Sequence, residues 1–123
     1  MSKPTIFFDL ETTGVNITQD RILQIGAIKL FADGTEEVKN VLLNPGIPIP
    51  EGASAVHGIY DKDVKDKPFF RQISKSFATW LSGSNLAGYN SDNFDVPMLI
   101  EEFNRVGITF PEPDTKFQYC VRN

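Results

Sequence analysis

Hydrophobic and polar positions divide the chain into strand-like segments first and helix-like segments later. Thr5 to Leu10 is a short run rich in β-branched and aromatic residues, and Arg21 to Phe31 is a longer run that is apolar on both faces. Both runs are typical of buried strands. Ala32-Asp33-Gly34-Thr35 predicts a hairpin turn because Asp-Gly tolerates a positive φ, so Glu36 to Leu43 should return antiparallel. The pattern therefore predicts a three-strand antiparallel meander.

The next segment has the composition of a surface loop. Proline recurs through Asn44 to Pro50, and residues 51–67 are polar and end in alternating aspartate and lysine. Proline is poorly tolerated inside helices and central strands. We expect a loop as far as Lys67, containing no more than one helical turn.

Two amphipathic helices follow, with the short strand Leu86 to Tyr89 between them. Pro68 should open the first helix and Gly83 should stop it, and Gly107 should end the second. No complete element is predicted for Ile108 to Asn123. The apolar residues at helical spacing are Phe70, Ile73, Phe77, Trp80 and Leu81 in the first helix, and Val96, Leu99, Ile100, Phe103 and Val106 in the second.

This order of elements predicts an α/β fold in a single domain, residues 1–123, with a mixed sheet and flanking helices. A helical crossover returns the chain in its original direction, so the fourth strand should lie parallel to the first and beside it. Functional sites in such sheets lie at the carboxyl ends of the parallel strands. We therefore expect the site where the first and fourth strands end.

Charge and residue composition limit which partners and which kinds of metal site are expected. The net charge is −4, which argues against a broad electrostatic grip on duplex DNA but not against an enzyme that engages a strand end. The single Cys120 and single His57 exclude an internal disulfide and a zinc cluster, so a metal would be held mainly by oxygen. No apolar run is long enough to span a bilayer, and the N-terminus lacks a signal-like apolar core. We expect a cytoplasmic protein.

Three carboxylates stand where a site is expected. Asp9 and Glu11 are two residues apart on a strand, so their side chains point to one face. Asp95 lies where the fourth strand leads into the second helix, within reach of both if the first and fourth strands are neighbours. A divalent ion would keep such a cluster ionised, and oxygen ligands favour Mg²⁺ or Mn²⁺. The alternatives are two solvated acids at a strand end and a helix N-cap aspartate.

The motifs around these acids resemble those of a known family. Asp9-Leu10-Glu11-Thr12-Thr13-Gly14 resembles the first motif of the DEDD-type (DnaQ-like) 3′→5′ exonucleases, and Asn90 to Asp95 resembles the second, with Val56-His57-Gly58-Ile59 between them. The resemblance implies a ribonuclease H-like fold. It also implies metal-dependent hydrolysis of phosphodiester bonds at nucleic-acid 3′ ends, releasing nucleoside monophosphates, with two Mg²⁺ or Mn²⁺ ions.

The resemblance also implies roles for individual residues. Asp9 would be shared between the two ions, Glu11 would bind one, and Asp95 would bind directly or through water. Local alternatives stay open for three of the substrate-binding candidates: a loop histidine that satisfies its own neighbours, a core phenylalanine, and an asparagine that braces its turn. The candidates for holding the terminal nucleotide are Thr12, Thr13, His57, Asn90 and Phe94.

The family's third motif brings a final aspartate together with a histidine or tyrosine, and Lys116 to Asn123 contains no Asp, Glu or His. We therefore expect a domain truncated at its C-terminal side, a fragment of a longer exonuclease. The alternatives are a natural short form, acting as a nucleotide- or metal-binding or protein-interaction module of a replication or repair assembly, and pairing of two chains to rebuild a site. The implied partner is the 3′ end of single-stranded DNA or RNA. A DNA polymerase subunit is a second candidate partner.

Overall fold

The chain forms one mixed β-sheet with helices packed against it. A computed structural model describes residues 3–89, 94–111 and 117–120. The elements along these residues are β1 (Thr5–Thr12), β2 (Ile22–Leu30), β3 (Glu36–Leu42), α1 (Glu51–His57), α2 (Asp61–Val64), α3 (Phe70–Leu81), β4 (Asn85–Tyr89), α4 (Asp95–Arg105) and β5 (Phe117–Cys120).

The five strands lie in the order β3-β2-β1-β4-β5. β2 pairs antiparallel with both β1 and β3, and β4 pairs parallel with β1 and with β5. The predicted meander and the predicted parallel pairing of the first and fourth strands are confirmed. Gly34 adopts a φ of +89° in the turn between β2 and β3, as the Asp-Gly pair predicts. The topology is that of a ribonuclease H-like fold.

The main core lies between the sheet and the two longer helices. Ile6, Phe8 and Leu10 alternate along β1 and are almost fully buried on one face, as predicted. They belong to one cluster with Phe77 of α3 and Phe103 of α4. Fully burying a side chain of this size contributes about 1.5–3 kcal/mol, so this layer fixes how the helices sit on the sheet.

The opposite face of the sheet is covered at one end. There Leu23, Ile49, Ile59 and Val64 form a second, smaller cluster that brings α1 and α2 against the sheet. The prediction that the second strand is buried on both faces is wrong at its far end, where Ile28 remains 40% exposed. An apolar residue favours burial, but the pattern cannot say whether another element is available to cover it.

Two predictions about irregular segments are corrected. Residues 44–67 contain two helices, α1 and α2, rather than a loop with a single turn. The prolines lie before α1, with Pro50 at its N-cap, where a fixed φ does not interrupt the helix. The segment after Ile108 contains β5, which sequence pattern missed because it is only four residues long and lies at the sheet edge. Among the described residues, no helix is long and apolar enough to cross a membrane.

Candidate active site

Asp9 and Glu11 lie near the carboxyl end of β1. Their neighbours Phe8 and Leu10 point into the core, so alternation directs both carboxylates to the opposite face. Asp9 is exposed and Glu11 is partly buried. Asp9 and Glu11 therefore lie on one face of β1, as the sequence predicted.

Asp95 reaches β1 where β4 stops pairing with it. The ladder between β1 and β4 ends at the pair Phe8 and Gly88, and no described strand pairs with the following part of β1 on that side. The backbone N–H of Leu10 donates instead to Oδ2 of Asp95, at 3.4 Å. The first residue of α4 is thereby held against the backbone that separates Asp9 from Glu11. Asp95 therefore lies beside the strand segment that carries Asp9 and Glu11, and it interacts electrostatically with both acids.

Burial makes ionisation of Asp95 unfavourable. Its side chain is only 5% exposed. Loss of hydration, and then the negative charge of Asp9, raise the pKa of Asp95 to about 7, although the Leu10 N–H opposes this shift. Glu11 and a hydrogen bond with the Asp9 carboxyl raise the pKa further. At pH 7 in the metal-free protein, Asp95 is therefore only about half ionised.

The carboxylates of Asp9, Glu11 and Asp95 are suitable ligands for a divalent cation. A cation would remove the repulsion that disfavours a charged Asp95, and the carboxylate set suits Mg²⁺ or Mn²⁺. Within residues 3–89, 94–111 and 117–120, no three Asp, Glu, His or Cys side chains already converge as a metal cage. The hydrogen-bonded carboxyls of Asp9 and Asp95 would therefore have to rearrange around an ion that they share.

Asp20 fixes the loop that follows β1. Its Oδ1 accepts a hydrogen bond from Oγ1 of Thr13 at 2.7 Å, and its Oδ2 accepts one from the backbone N–H of Asn16 at 2.8 Å. Gly14 lies so close that an added Cβ would stand 2.5 Å from the Asp20 Oδ2. The glycine of the first motif is therefore required by close approach of this carboxylate.

The two threonines of the loop have different environments. The Thr12 hydroxyl donates to the Gly14 carbonyl at 2.7 Å and remains partly accessible. The Thr13 side chain is 1% exposed and also accepts from the backbone N–H of Arg21 at 3.0 Å. Direct contact of the Thr13 side chain with substrate is therefore not supported, because that side chain is enclosed and holds the loop together.

A buried carboxylate of α4 binds the start of β2 and also pairs with an arginine of its own helix. Oε2 of Glu102, which is 3% exposed, accepts from the backbone N–H of Ile22 at 2.8 Å, and Oε1 lies 3.2 Å from Nη1 of Arg105. Arg105 also donates to the carbonyls of Ile17, Thr18 and Asp20. The helix that begins at Asp95 is thus tied to the loop that follows Glu11. Sequence reasoning missed Glu102, although it follows Leu99 by three residues on the apolar face of the helix.

His57 lies on the same side of the sheet as the two β1 acids. Glu11 is paired with Gln24 of β2, and Gln24 with Leu42 of β3, so these three residues share one row and one face. Leu42 packs against the small cluster that includes Ile59, two residues after His57. Two strand spacings separate Glu11 from Leu42, about 10 Å. α1 therefore ends on the face where Asp9 and Glu11 stand.

The His57 ring is oriented by its own loop. Its Nδ1 accepts a hydrogen bond from the backbone N–H of Ile59 at 3.1 Å, which places the proton of the neutral ring on Nε2. Nε2 is buried and has no partner among the described residues. His57 thus satisfies a local hydrogen bond and still has one donor to offer.

The remaining substrate candidates lie at the start of α4. Phe94 is the N-cap residue of that helix and packs, partly buried, against the main core. Its backbone carbonyl accepts from the N–H of Met98 at 2.9 Å. Asn90 lies outside the described residues. A substrate role for either residue stays a prediction.

Comparison with known proteins agrees with the fold and the motifs. The family model RNase_T, described as an exonuclease, matches residues 6–121. The chain belongs to this exonuclease family. Since the matched region spans both β1 and the start of α4, it includes all three carboxylates of the site.

Curated relatives of this exonuclease domain include polymerase subunits. The chain is 39% identical over 106 residues to the DNA polymerase III subunit epsilon of Buchnera aphidicola, covering 81% of this chain and 44% of the relative. It is 32% identical over 104 residues to the PolC-type DNA polymerase III of Caldanaerobacter subterraneus, covering 85% of this chain and 7% of the relative. The chain thus spans less than half the length of these relatives.

Solved structures with the same fold include exonuclease I. The structure of Escherichia coli exonuclease I in complex with a dT13 oligonucleotide superposes with a TM-score of 0.84. It is 19% identical to this exonuclease domain, and the match covers 96% of this chain and 28% of that one. At this identity the likeness establishes a shared fold.

Proposed function

We propose that the protein is a metal-dependent 3′→5′ exonuclease that removes nucleoside monophosphates from the 3′ end of a nucleic acid. The observation that carries this proposal is the placement of Asp95 against the Leu10 backbone, between Asp9 and Glu11. Membership of an exonuclease family supports it. The relatives that are polymerase III subunits support a role in proofreading or repair, with a polymerase as partner.

Asp9, Glu11 and Asp95 would hold the Mg²⁺ or Mn²⁺. When bound, such ions lower the pKa of a water molecule and stabilise charge on the leaving oxygen. Asp95 stays in place through the Leu10 N–H, while the Asp20-anchored loop presents Thr12 beside Glu11. His57 lies on the same face, and its Nε2–H, which is buried and has no partner among the described residues, would have to turn outward to donate to an oxygen of the terminal nucleotide.

Release of mononucleotides from a 5′-labelled single-stranded oligonucleotide, with Mn²⁺ present, tests this proposal. The full-length protein should shorten the strand from its 3′ end, and Asp9→Ala should reduce the rate at least a hundredfold. Asp33→Asn is a matched control, because Asp33 is an exposed acid in the β2–β3 turn, near the opposite end of β1. Equal rates for wild type and Asp9→Ala would reject the proposal.

A second candidate is binding without turnover by the 123-residue chain. His57 is the chain's single histidine, and its Nδ1 is occupied by the Ile59 N–H. In the neutral ring Nε2 carries the proton and Nδ1 already accepts a hydrogen bond, so neither nitrogen is free to take a proton from water. This favours a nucleotide- or metal-binding module that is catalytically incomplete. Turnover by the purified chain that is lost in Asp9→Ala would overturn this candidate.

A further inference from the structure

A cavity lies on the helix-covered side of the molecule. It encloses about 440 Å³ between the start of β2, the N-terminus of α3 and the C-terminus of α4. Arg105, at the far end of the 11-residue α4, is one of its lining residues. At 1.5 Å per residue, this end of the helix lies about 15 Å from Asp95. The cavity is therefore separate from the carboxylate site.

The lining of this cavity is positively charged in a protein that is acidic overall. Arg21, Arg71 and Arg105 contribute to it, against the single carboxylate of Glu102. Glu102 is already satisfied by Arg105 and by the Ile22 N–H. Two guanidinium charges therefore remain uncompensated in the cavity, whereas the whole chain carries −4.

The guanidinium groups of Arg21 and Arg71 are the two that Glu102 does not neutralise. The Nε of Arg21 is inaccessible to solvent and without a hydrogen-bond partner. Arg71 is held over the ring of Phe69, 4.4 Å from its centroid, which orients the guanidinium without using its N–H groups. An enclosed N–H donor without a partner is costly, and a bound acceptor would relieve that cost.

The first turn of α3 adds to the positive potential. Phe70 and Arg71, its first two residues, line the cavity, and the turn contains no acidic residue. The Gln72 side chain accepts from the Phe69 N–H, so it does not cap the helical N–H groups that follow. The positive end of the helix dipole at this turn is therefore not neutralised by a neighbouring carboxylate.

We propose that this cavity is a binding subsite for a phosphate group, held between Arg21 and Arg71 at the start of α3. A phosphate offers several acceptor oxygens and up to two negative charges, which matches two forked guanidinium groups and a helix terminus better than a carboxylate does. The phosphate can belong to a nucleic-acid strand or to a free phosphate compound. The inference does not depend on the exonuclease proposal.

Titration calorimetry with inorganic phosphate, with EDTA present, tests the subsite without the metal centre. Saturable one-to-one binding is expected, and Arg21→Gln or Arg71→Gln should weaken it at least tenfold. Acetate at equal concentration should bind more weakly. Lys75→Gln is the matched control because it removes an exposed charge one turn along the same helix, outside the cavity. Equal thermal stability of Arg71→Gln and wild type would show that the fold is retained.

A second titration, with a thymidine tetranucleotide, distinguishes the sources of the phosphate. Displacement of the oligonucleotide by inorganic phosphate would identify the site as one for the nucleic-acid backbone. Binding of phosphate without the oligonucleotide would identify it as one for a free phosphate compound. Absence of saturation with both, or equal losses in Lys75→Gln and Arg71→Gln, would overturn the proposal.

Discussion

Asp95 links the electrostatics of the site to the stability of the fold. An aspartate in the unfolded chain ionises near pH 3.8, whereas burial beside Asp9 raises the pKa of Asp95 to about 7. Between these pH values the folded state binds a proton that the unfolded state lacks. The metal-free protein should therefore lose stability as the pH rises from about 4, and this loss should level off above about pH 7.

Asp95→Asn should stabilise the metal-free protein at pH 8 and leave it nearly unchanged at pH 4. The amide keeps an oxygen for the Leu10 N–H and carries no charge. A gain of about 5 °C at pH 8 corresponds to about 1 kcal/mol for a chain of this size, measured by thermal unfolding in EDTA. The exposed Asp66→Asn should show no such difference. An equal gain in melting temperature at pH 4 and pH 8 would contradict the conclusion that Asp95 is protonated at pH 4 and ionised at pH 8.

The contact between Gly14 and Asp20 can be tested by a double-mutant cycle. Gly14→Ala places a methyl group against the Asp20 carboxylate and should destabilise the protein by about 2 kcal/mol. In an Asp20→Ala background the clash is removed, so the same change should cost much less. If the changes in free energy of unfolding of the two single variants, measured with urea, add up to that of the double variant, the proposed contact between the two residues is contradicted.

At the scale of elements, the contact of Glu102 with the Ile22 N–H, called here the Glu102 brace, links α4 to β2 and holds Asp95 in register with β1. Glu102→Ala leaves the Ile22 N–H and part of the Arg105 guanidinium without an acceptor. The expected loss is about 2–4 kcal/mol in the free energy of unfolding, with a lower affinity for Mn²⁺ in the fraction that remains folded. Glu101→Ala, on the neighbouring and more exposed position, should cost less than about 1 kcal/mol. Equal losses for the two variants would argue against the brace.

The secondary-structure elements differ in how well the sequence pattern predicts them. β1 and α4 carry long apolar periodicities and motif residues, so their positions and the meeting of Asp9 with Asp95 were predictable. α1 was missed because prolines dominate the segment before it, and a local pattern does not show that Ile49 and Ile59 have Leu23 to pack against. β5 depends on pairing with β4, a contact that its four residues do not encode by themselves.

The site shows a similar limit. The acids of the first two motifs are visible in the sequence, because their spacing along a strand and at a helix start fixes their direction. Asp20 and Arg105 were not predicted, since most of their partners are atoms 4 or more residues away that only folding brings into reach. A polar residue on an apolar helix face, as at Glu102, is the one signal that could have been used.

At the scale of the whole molecule, the sheet has an apolar face that the described elements cover only in part. Ile28, Leu30 and Val38 are 40%, 36% and 69% exposed on this face. Such a patch favours association between molecules.

The purified chain should therefore self-associate with rising concentration, as measured by sedimentation velocity, and Val38→Lys should reduce this association without lowering the melting temperature. The exposed Val56→Lys is the control, since it lies in α1. An equal reduction by both variants would contradict a role for the sheet face.

The hydrogen bond from Leu10 to Asp95 makes one amide proton an internal indicator of the site's state. Its nuclear magnetic resonance shift depends on whether the acceptor carboxyl is protonated, ionised or drawn toward a cation. In metal-free protein this resonance should titrate with a midpoint near 7, the value to which burial and Asp9 raise the Asp95 pKa. With Mg²⁺ bound it should become insensitive to pH, so occupancy of the centre can be followed without substrate and without turnover.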